Sequence, residues 1–208
     1  MYVSGCGSSR GFSLLCGHLR NHGLGSRALT WAIPVDCGLR TLWCPAQSVT
    51  LVKKGILNDT LMDNKTAKFL GRNSNGHGRR TTLNSPILPR MASTVLQNGM
   101  ESLESLISDI GSGILCVGAW VGGSQGETFV LRPCYGRLII DGLLTDVIYR
   151  RFDLTGDKFD TLRRIDGVGD DCKIFYPALG CDKDGQNRLP ISMGAPHLRL
   201  RDVSLKSY

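Results

Sequence analysis

From residue 48 onward, apolar and polar positions fall into regular patterns, and each pattern predicts an element. SVTLVKKGILNDTLMD, residues 48–63, has apolar positions on both sides of Lys54-Gly55, the layout of a β-hairpin turning there. DNKTAKFLG follows as a short helix, with Asp63 as N-cap and Gly71 as its stop. RNSNGHGRRTTLNSPILPR, residues 72–90, has the Gly, Asn and Pro content of a long ordered loop. Leu103, Leu106, Ile107 and Ile110 recur at i, i+3, i+4 and i+7, one face of an amphipathic helix. Strands are expected at about 113–121 and 127–132, then a hairpin RLIIDGLLTDVI whose Asp141-Gly142 suits a type I′ turn. GDKFDTLRRID predicts another helix, capped by Asp157, with Phe159, Leu162 and Ile165 along one side. Extended segments return at about 172–176 and 196–203. Strands dominate, so the expected class is α+β: a mainly antiparallel β-sheet with two or three helices packed on it, preceded by an irregular N-terminal segment.

That irregular segment is residues 1–47, and the domain is expected to run from 48 to 208. Residues 1–47 contain no Lys and no Glu, are rich in Gly, Cys, Ser and Arg, and keep neither helical nor strand period for long. Arg- and Ser-rich, acid-poor beginnings resemble organellar transit segments, but the glycines here weaken an amphipathic helix. Disordered or non-homologous sequence is the favoured reading. The net charge of +7 is unevenly spread, +3 in residues 1–47 and +4 in the remaining 161, and the Arg pairs at 79–80, 150–151 and 163–164 have few aromatics between them, a weak pattern for nucleic-acid binding. No nucleic-acid partner is expected. Nor is a membrane: GILCVGAWVGG, the longest apolar run, is short and interrupted by glycine, and reads as a buried strand.

Eight cysteines are present without a CxxC pair, and Cys116, Cys134, Cys172 and Cys181 are scattered without ligand spacing. Cys116 lies in the apolar run and is expected in the core. Nothing demands an oxidising compartment, so a reduced, cytoplasmic setting is expected. His18 and His22 stand four apart but lack the Glu of a metallopeptidase helix. His77 reads as a loop histidine, and His197 as one facing solvent. No nucleophile elbow, P-loop or dinucleotide fingerprint occurs, so no catalytic and no cofactor-binding residue is assigned. The remaining candidate is LGCDKDGQNRLP. As a calcium loop it fails, because Asp182, Asp184 and Gly185 at positions 3, 5 and 6 put Gly180 and Ile191 where position 1 and the bidentate Glu belong. As a zinc donor Cys181 fits chemically, but a lone thiolate is one ligand.

Several stretches, in order, resemble the C-terminal half of the TldD/PmbA family of metallopeptidases. They are LVKKGILNDTLMDNKTAKFLG, NGHGRR, SPILPRMASTVLQNG with SLESLI, GILCVGAWVGG, TFVLRPCYGRLIIDG, LTGDKFDTLRRIDGVGDD and GCDKDGQNRLPISMGAPHLRL. The resemblance implies zinc-dependent peptide hydrolysis, with two histidines of a helical HExxxH holding the metal, its Glu as general base, and a cysteine in a CGKDGQ-like turn as third ligand. Cys181 occupies the matching place and is the metal ligand the resemblance implies. This sequence departs from the pattern in having Asp182 where Gly is common, one extra residue in NRLPI, and a short GGSQGETF. It contains no HExxxH.

The expected function is therefore the C-terminal portion of a TldD-like zinc metallopeptidase, a truncated or split form inactive by itself, acting on peptide or unfolded-protein substrates. The alternative is a non-catalytic binding or assembly subunit that pairs with a full-length homologue. A homo- or hetero-oligomer with a TldD/PmbA homologue is the assembly the family implies.

Overall fold

A computed structural model of the chain describes residues 13–17, 46–177 and 180–208. Its elements begin with β1 (Ser13–Gly17), β2 (Val52–Lys53), β3 (Ile56–Leu57), α1 (Asn64–Phe69), β4 (Gly78–Arg79), β5 (Leu88–Pro89) and β6 (Ser93–Val95). They continue with α2 (Leu103–Ser108), β7 (Ser112–Val117), β8 (Val121–Gln125), β9 (Thr128–Arg132), β10 (Tyr135–Ile140), β11 (Leu143–Tyr149), β12 (Phe152–Asp157), α3 (Lys158–Arg163) and β13 (Ile165–Val168). The last are β14 (Lys173–Phe175), β15 (Cys181–Lys183), β16 (Gln186–Leu189), β17 (Ser192–Ala195), β18 (Leu198–Leu200) and β19 (Ser204–Ser207). Strand pairing is mostly antiparallel, as the sequence pattern predicts, with β1–β7 and β6–β17 as parallel exceptions.

The chain divides into two compact units. The first takes its described residues from Met1–Arg20, Met100–Asp170 and His197–Tyr208. It contains a six-stranded sheet, β11-β10-β7-β1-β18-β13, and a four-stranded sheet, β19-β12-β9-β8. Alternation along β7 explains the layers. Ile114 and Cys116 point into a cluster with Phe152, Leu154 and Leu200, whereas Leu115 points the other way, joining Leu106 and Ile110 of the α2 segment and Ile139. A strand buried on both faces needs a continuous apolar run, which is why this stretch of GILCVGAWVGG lacks polar interruptions. Cys116 is core, as expected. Burying each such aliphatic side chain contributes about 1.5–3 kcal/mol.

The expected strand over 113–121 is shorter in the structure. Gly118 takes a left-handed φ of 65°, which ends β7 and separates it from β8. The expected 196–203 segment narrows to Leu198–Leu200, because the chain turns at Asp202 with φ 51°. Asp157 caps α3 as predicted, accepting from the Phe159 and Asp160 N–H groups, but α3 buries no side chain. Phe159 and Leu162 are more than half exposed, so this helix is not packed on a sheet through its apolar side. Its first residue is tied instead to the β8–β9 turn, where Lys158 donates from backbone N to Glu127 O (2.8 Å) and from Nζ to Gly126 O (2.5 Å). A six-residue helix anchored there does not reach across a sheet face. Residues 13–17, inside the segment expected to be irregular, form β1 between β7 and β18. His18 and His22 lie outside the described residues.

The second unit takes its described residues from Asn21–Gly99 and Asp171–Pro196. The predicted hairpin appears as β2 and β3 around Lys54 (φ 51°) and Gly55 (φ 77°). The helix α1 has its predicted cap, the Asp63 carboxylate accepting from Thr66 N at 2.7 Å, and Gly71 follows its end in the left-handed region. The 72–90 segment includes a short ladder, β4 with β5, rather than loop alone. A three-stranded sheet, β14-β17-β6, and the hairpin β15-β16 complete this unit.

Candidate metal-ligand site around Cys181

Cys181 opens β15, and the chain returns through Asp184 (φ 50°) and Gly185 (φ 75°) into β16. Two successive left-handed residues make the tight turn that matches strand twist, and Asp-Gly is the pair that tolerates it. The preceding residue must also be glycine. Gly180 has φ 67°, and a Cβ there would lie 2.5 Å from Leu189 O. Cys181 is a free, half-buried thiol, its Sγ 3.9 Å from Asp182 O.

The register explains two sequence departures together. Lys183 pairs with Gln186 and Cys181 pairs with Leu189, so one residue on β15 faces two, Asn187 and Arg188, on β16. The extra residue of NRLPI is thus a β-bulge. Arg188 takes the strain, with φ 58°, and its backbone N–H donates to Asp182 Oδ1 at 2.7 Å. Asp182, where the family commonly has Gly, supplies the acceptor for an N–H that the bulge removes from the ladder.

Buried polar groups clamp the hairpin from below. Arg90 is 1% exposed, and its Nη2 donates to Cys181 O (2.5 Å) and Gln186 O (3.4 Å), while Nε and Nη1 have no partner. Gln186 is also buried. Its Oε1 accepts from Thr81 N (2.9 Å), and its Nε2 donates to Pro86 O (2.7 Å). Lys183 Nζ reaches Pro89 O (3.1 Å), and Arg79 Nη2 reaches Pro190 O (2.8 Å). Neither Arg90 nor Gln186 was legible as part of this site, because nothing in a sequence pattern marks a side chain that recognises main-chain carbonyls from 91 or 96 residues away.

His77 lies in the loop segment just before β4, where the sequence pattern puts it, and it is buried, 1% exposed. Its Nδ1 is 2.9 Å from Asn75 O, an acceptor, so Nδ1 carries the proton and Nε2 is left a buried acceptor without partner. Burial holds its pKa below the ordinary value, the Arg79 charge adds to this, and the Asn75 hydrogen bond opposes it. His197 is half-buried, and its carbonyl accepts from Gly169 N (2.8 Å). Cys172 Sγ is 3.4 Å from Leu96 O, and burial with the nearby Asp171 charge pushes the thiol pKa up, which disfavours a thiolate. Among the described residues, no group of three or more His, Cys, Asp or Glu side chains is placed to hold a metal ion. Asp182, the nearest carboxylate in sequence, is already engaged by Arg188. The residues described here therefore do not compose a zinc site: Cys181 offers one donor where about three are needed.

The Arg pairs separate in role. Arg79 is tied to the Met91 and Pro190 carbonyls, Arg80 to Leu83 O, Arg163 to Asp160 and Arg164 to Asp202 O. Arg150 and Arg151 line a groove in the first unit. A salt-bridge network centred on the buried Arg199 in the same unit is marked by no sequence pattern. Arg199, 7% exposed at its side chain, bonds Asp166 (2.9 Å) and Asp109 (3.1 Å) and lies 3.8 Å from Glu101, while Arg201 takes the other Asp166 oxygen at 2.5 Å. Partial burial acts to raise the Asp166 pKa, but the two guanidiniums outweigh it and hold the carboxyl below the usual range.

A sheet-rich unit with buried layers on both sides of β7, together with a clamped cysteine hairpin, defines a mainly antiparallel α+β protein. The family profile described as the PmbA/TldA metallopeptidase C-terminal domain matches residues 44–207, and the chain belongs to this family. It is similar to a metalloprotease TldD homologue of Buchnera aphidicola, 31% identical over 77% of this chain and 33% of the relative. A zinc metalloprotease TldD homologue of Saccharolobus solfataricus is 26% identical over 78% of this chain and 36% of its own length. The crystal structure of TldE from Thermococcus kodakarensis shares the fold, with a TM-score of 0.61 at 23% identity over 78% of this chain and 34% of that one. The chain thus spans about a third of the length of these relatives.

Proposed function

We propose that this chain supplies the C-terminal portion of a TldD-like zinc metallopeptidase that hydrolyses peptides or unfolded proteins in the cytoplasm. Cys181 is one zinc ligand in this reading, and the two imidazoles and the general-base Glu come from an HExxxH segment outside these 208 residues. The observation that carries it is the half-buried, free Cys181 on a hairpin whose backbone is fixed by Arg90 and Gln186. A fixed backbone holds a donor atom in place before the metal arrives, which is what a ligand supplied across two segments requires. When bound, zinc would acidify a water and polarise the scissile carbonyl. This chain's part is to present the sulfur. The polypeptide of 208 residues is inactive alone.

The test has two readouts. Cobalt(II) added to this chain together with an HExxxH-bearing segment of a homologue should produce a thiolate-to-cobalt charge-transfer band, and Cys181→Ala should remove it. Peptide cleavage by that mixture should fall with the same substitution. A band that survives Cys181→Ala would sink the ligand assignment. Cleavage by the chain alone, lost in Cys181→Ala, would sink the claim of inactivity.

A second reading is a non-catalytic subunit that pairs with a homologue. It is favoured by β11, an edge strand with Leu143, Val147, Ile148 and Tyr149 exposed. Under this reading the chain co-purifies with a full-length homologue in a fixed ratio, and Cys181→Ala changes nothing in the activity of the pair.

A further inference from the structure

The first unit carries a groove of about 400 Å³ that has no part in the cysteine hairpin. Trp120 from the β7–β8 connection, Tyr135 at the start of β10 and Tyr208 after β19 supply its aromatic walls. Arg150 and Arg151, between β11 and β12, supply its basic charge, and no Asp or Glu side chain lines it. Successive residues of an extended strand point to opposite faces. Arg151 breaks that rule with φ 59°, and both arginines line the same groove. A left-handed residue other than glycine costs about 1–2 kcal/mol, and such strain gathers where function needs it. Among the described residues neither the Arg150 nor the Arg151 side chain has a hydrogen-bonded or ionic partner.

The neighbouring arginine behaves differently. Arg132 is neutralised by Asp153 through two bonds of 2.7 and 2.8 Å, and its guanidinium lies 4.3 Å from the Tyr208 ring centroid. Tyr208 is held a second time, its backbone N donating to Arg151 O at 3.2 Å. The ring is therefore fixed in the wall, and no Asp or Glu side chain in the lining offsets the two groove arginines.

We propose that this groove binds a small ligand joining a planar ring to a phosphate, of the nucleoside monophosphate class. Paired guanidinium forks match phosphate oxygens, and the exposed face of Trp120 offers a stacking platform for a base. The volume suits one base and one phosphate, near the small end of ligand pockets. The site is independent of the zinc-peptidase reading, because every residue in it lies in the first unit, away in sequence from Cys181.

Titration calorimetry of the whole 208-residue chain with adenosine monophosphate, at about 150 mM salt to screen diffuse attraction, reads the site directly. Saturable binding of one ligand per chain is expected. Arg150→Gln combined with Arg151→Gln should weaken it about 10- to 100-fold, the loss of charge-assisted bonds, and Trp120→Leu about tenfold. These three side chains are exposed, so the variants fold as the parent does. Inorganic phosphate and adenosine should each bind far more weakly than the joined molecule. Three results overturn the proposal: no saturation at millimolar nucleotide, affinity unchanged in the double variant, or phosphate alone binding as tightly, which would leave a plain anion patch. Much tighter binding of a single-stranded oligonucleotide would overturn it too, in favour of a polymer.

Discussion

Asp182 and Arg188 show how one side chain makes an inserted residue tolerable. The bulge turns Arg188 to φ 58° and takes its N–H out of the ladder, and the Asp182 carboxylate accepts it at 2.7 Å. The bond is solvent-exposed, so Asp182→Ala should cost only about 0.5–1 kcal/mol, read as a lower urea midpoint with an unchanged slope. Asp182→Asn keeps an acceptor oxygen and should lose less than half of that. Equal stability of all three proteins would mean that water serves Arg188 as well. Arg90 is the opposite case. Its buried Nη2 serves the Cys181 and Gln186 carbonyls, and Arg90→Ala would leave both acceptors and a cavity behind. A loss of about 3 kcal/mol is expected, together with faster reaction of Cys181 with a thiol reagent, since the hairpin would loosen. If the stability falls but the thiol rate does not rise, Arg90 holds the unit together without fixing Cys181.

Three hairpins turn on the same chemistry, at Lys54-Gly55, Asp141-Gly142 and Asp184-Gly185, each with both residues at positive φ. The middle turn is the most constrained. Gly142 has φ 74°, donates its N–H to Ile110 O at 2.8 Å, and a Cβ there would meet Ser108 O at 2.7 Å. Gly142→Ala should therefore destabilise by more than the backbone term alone, about 2–4 kcal/mol, whereas Gly55→Ala, with open space around it, should cost about 1–2. Thermal unfolding of the two variants checks the order. These turns, the Asp63 and Asp157 caps and the double-sided burial of β7 were legible because each is a local pattern of residue types. The exposed apolar side of α3 was not, because Phe159 and Leu162 have helical spacing whether or not anything covers them. Equally hidden were Arg90 and Gln186 beneath Cys181 and the carboxylates around Arg199, which meet only after distant segments fold. Cys181 itself was found through the resemblance of its turn to a family motif, since spacing alone offers one sulfur and no companion ligands.

At the scale of the whole molecule the two units carry different acid sensitivities, and the sign for each follows from its proton binding. His77, in the second unit, has a folded pKa lowered by burial. Near and below the ordinary histidine value of about 6.5 the unfolded chain takes up a proton that the folded one refuses, so stability falls as pH drops through that range. Asp166, in the first unit, has a folded pKa lowered by Arg201 and Arg199 against its burial. Its contribution is fully present above the unfolded carboxylate value of about 3.9 and is lost as pH falls through the lower folded value. Amide exchange should then show the second unit opening more readily as pH falls below about 6.5, while the first stays protected until about pH 4 or below. His77→Gln, which retains an amide donor toward Asn75 O, should remove the upper step and leave the lower one. Asp166→Asn should do the reverse, at a cost in stability at neutral pH, because Arg199 and Arg201 lose the charge between them. If both units instead lose protection in one step at the same pH, they unfold as a single cooperative body, and the cysteine hairpin then depends on the salt-bridge network around Arg199 as much as on its own clamp.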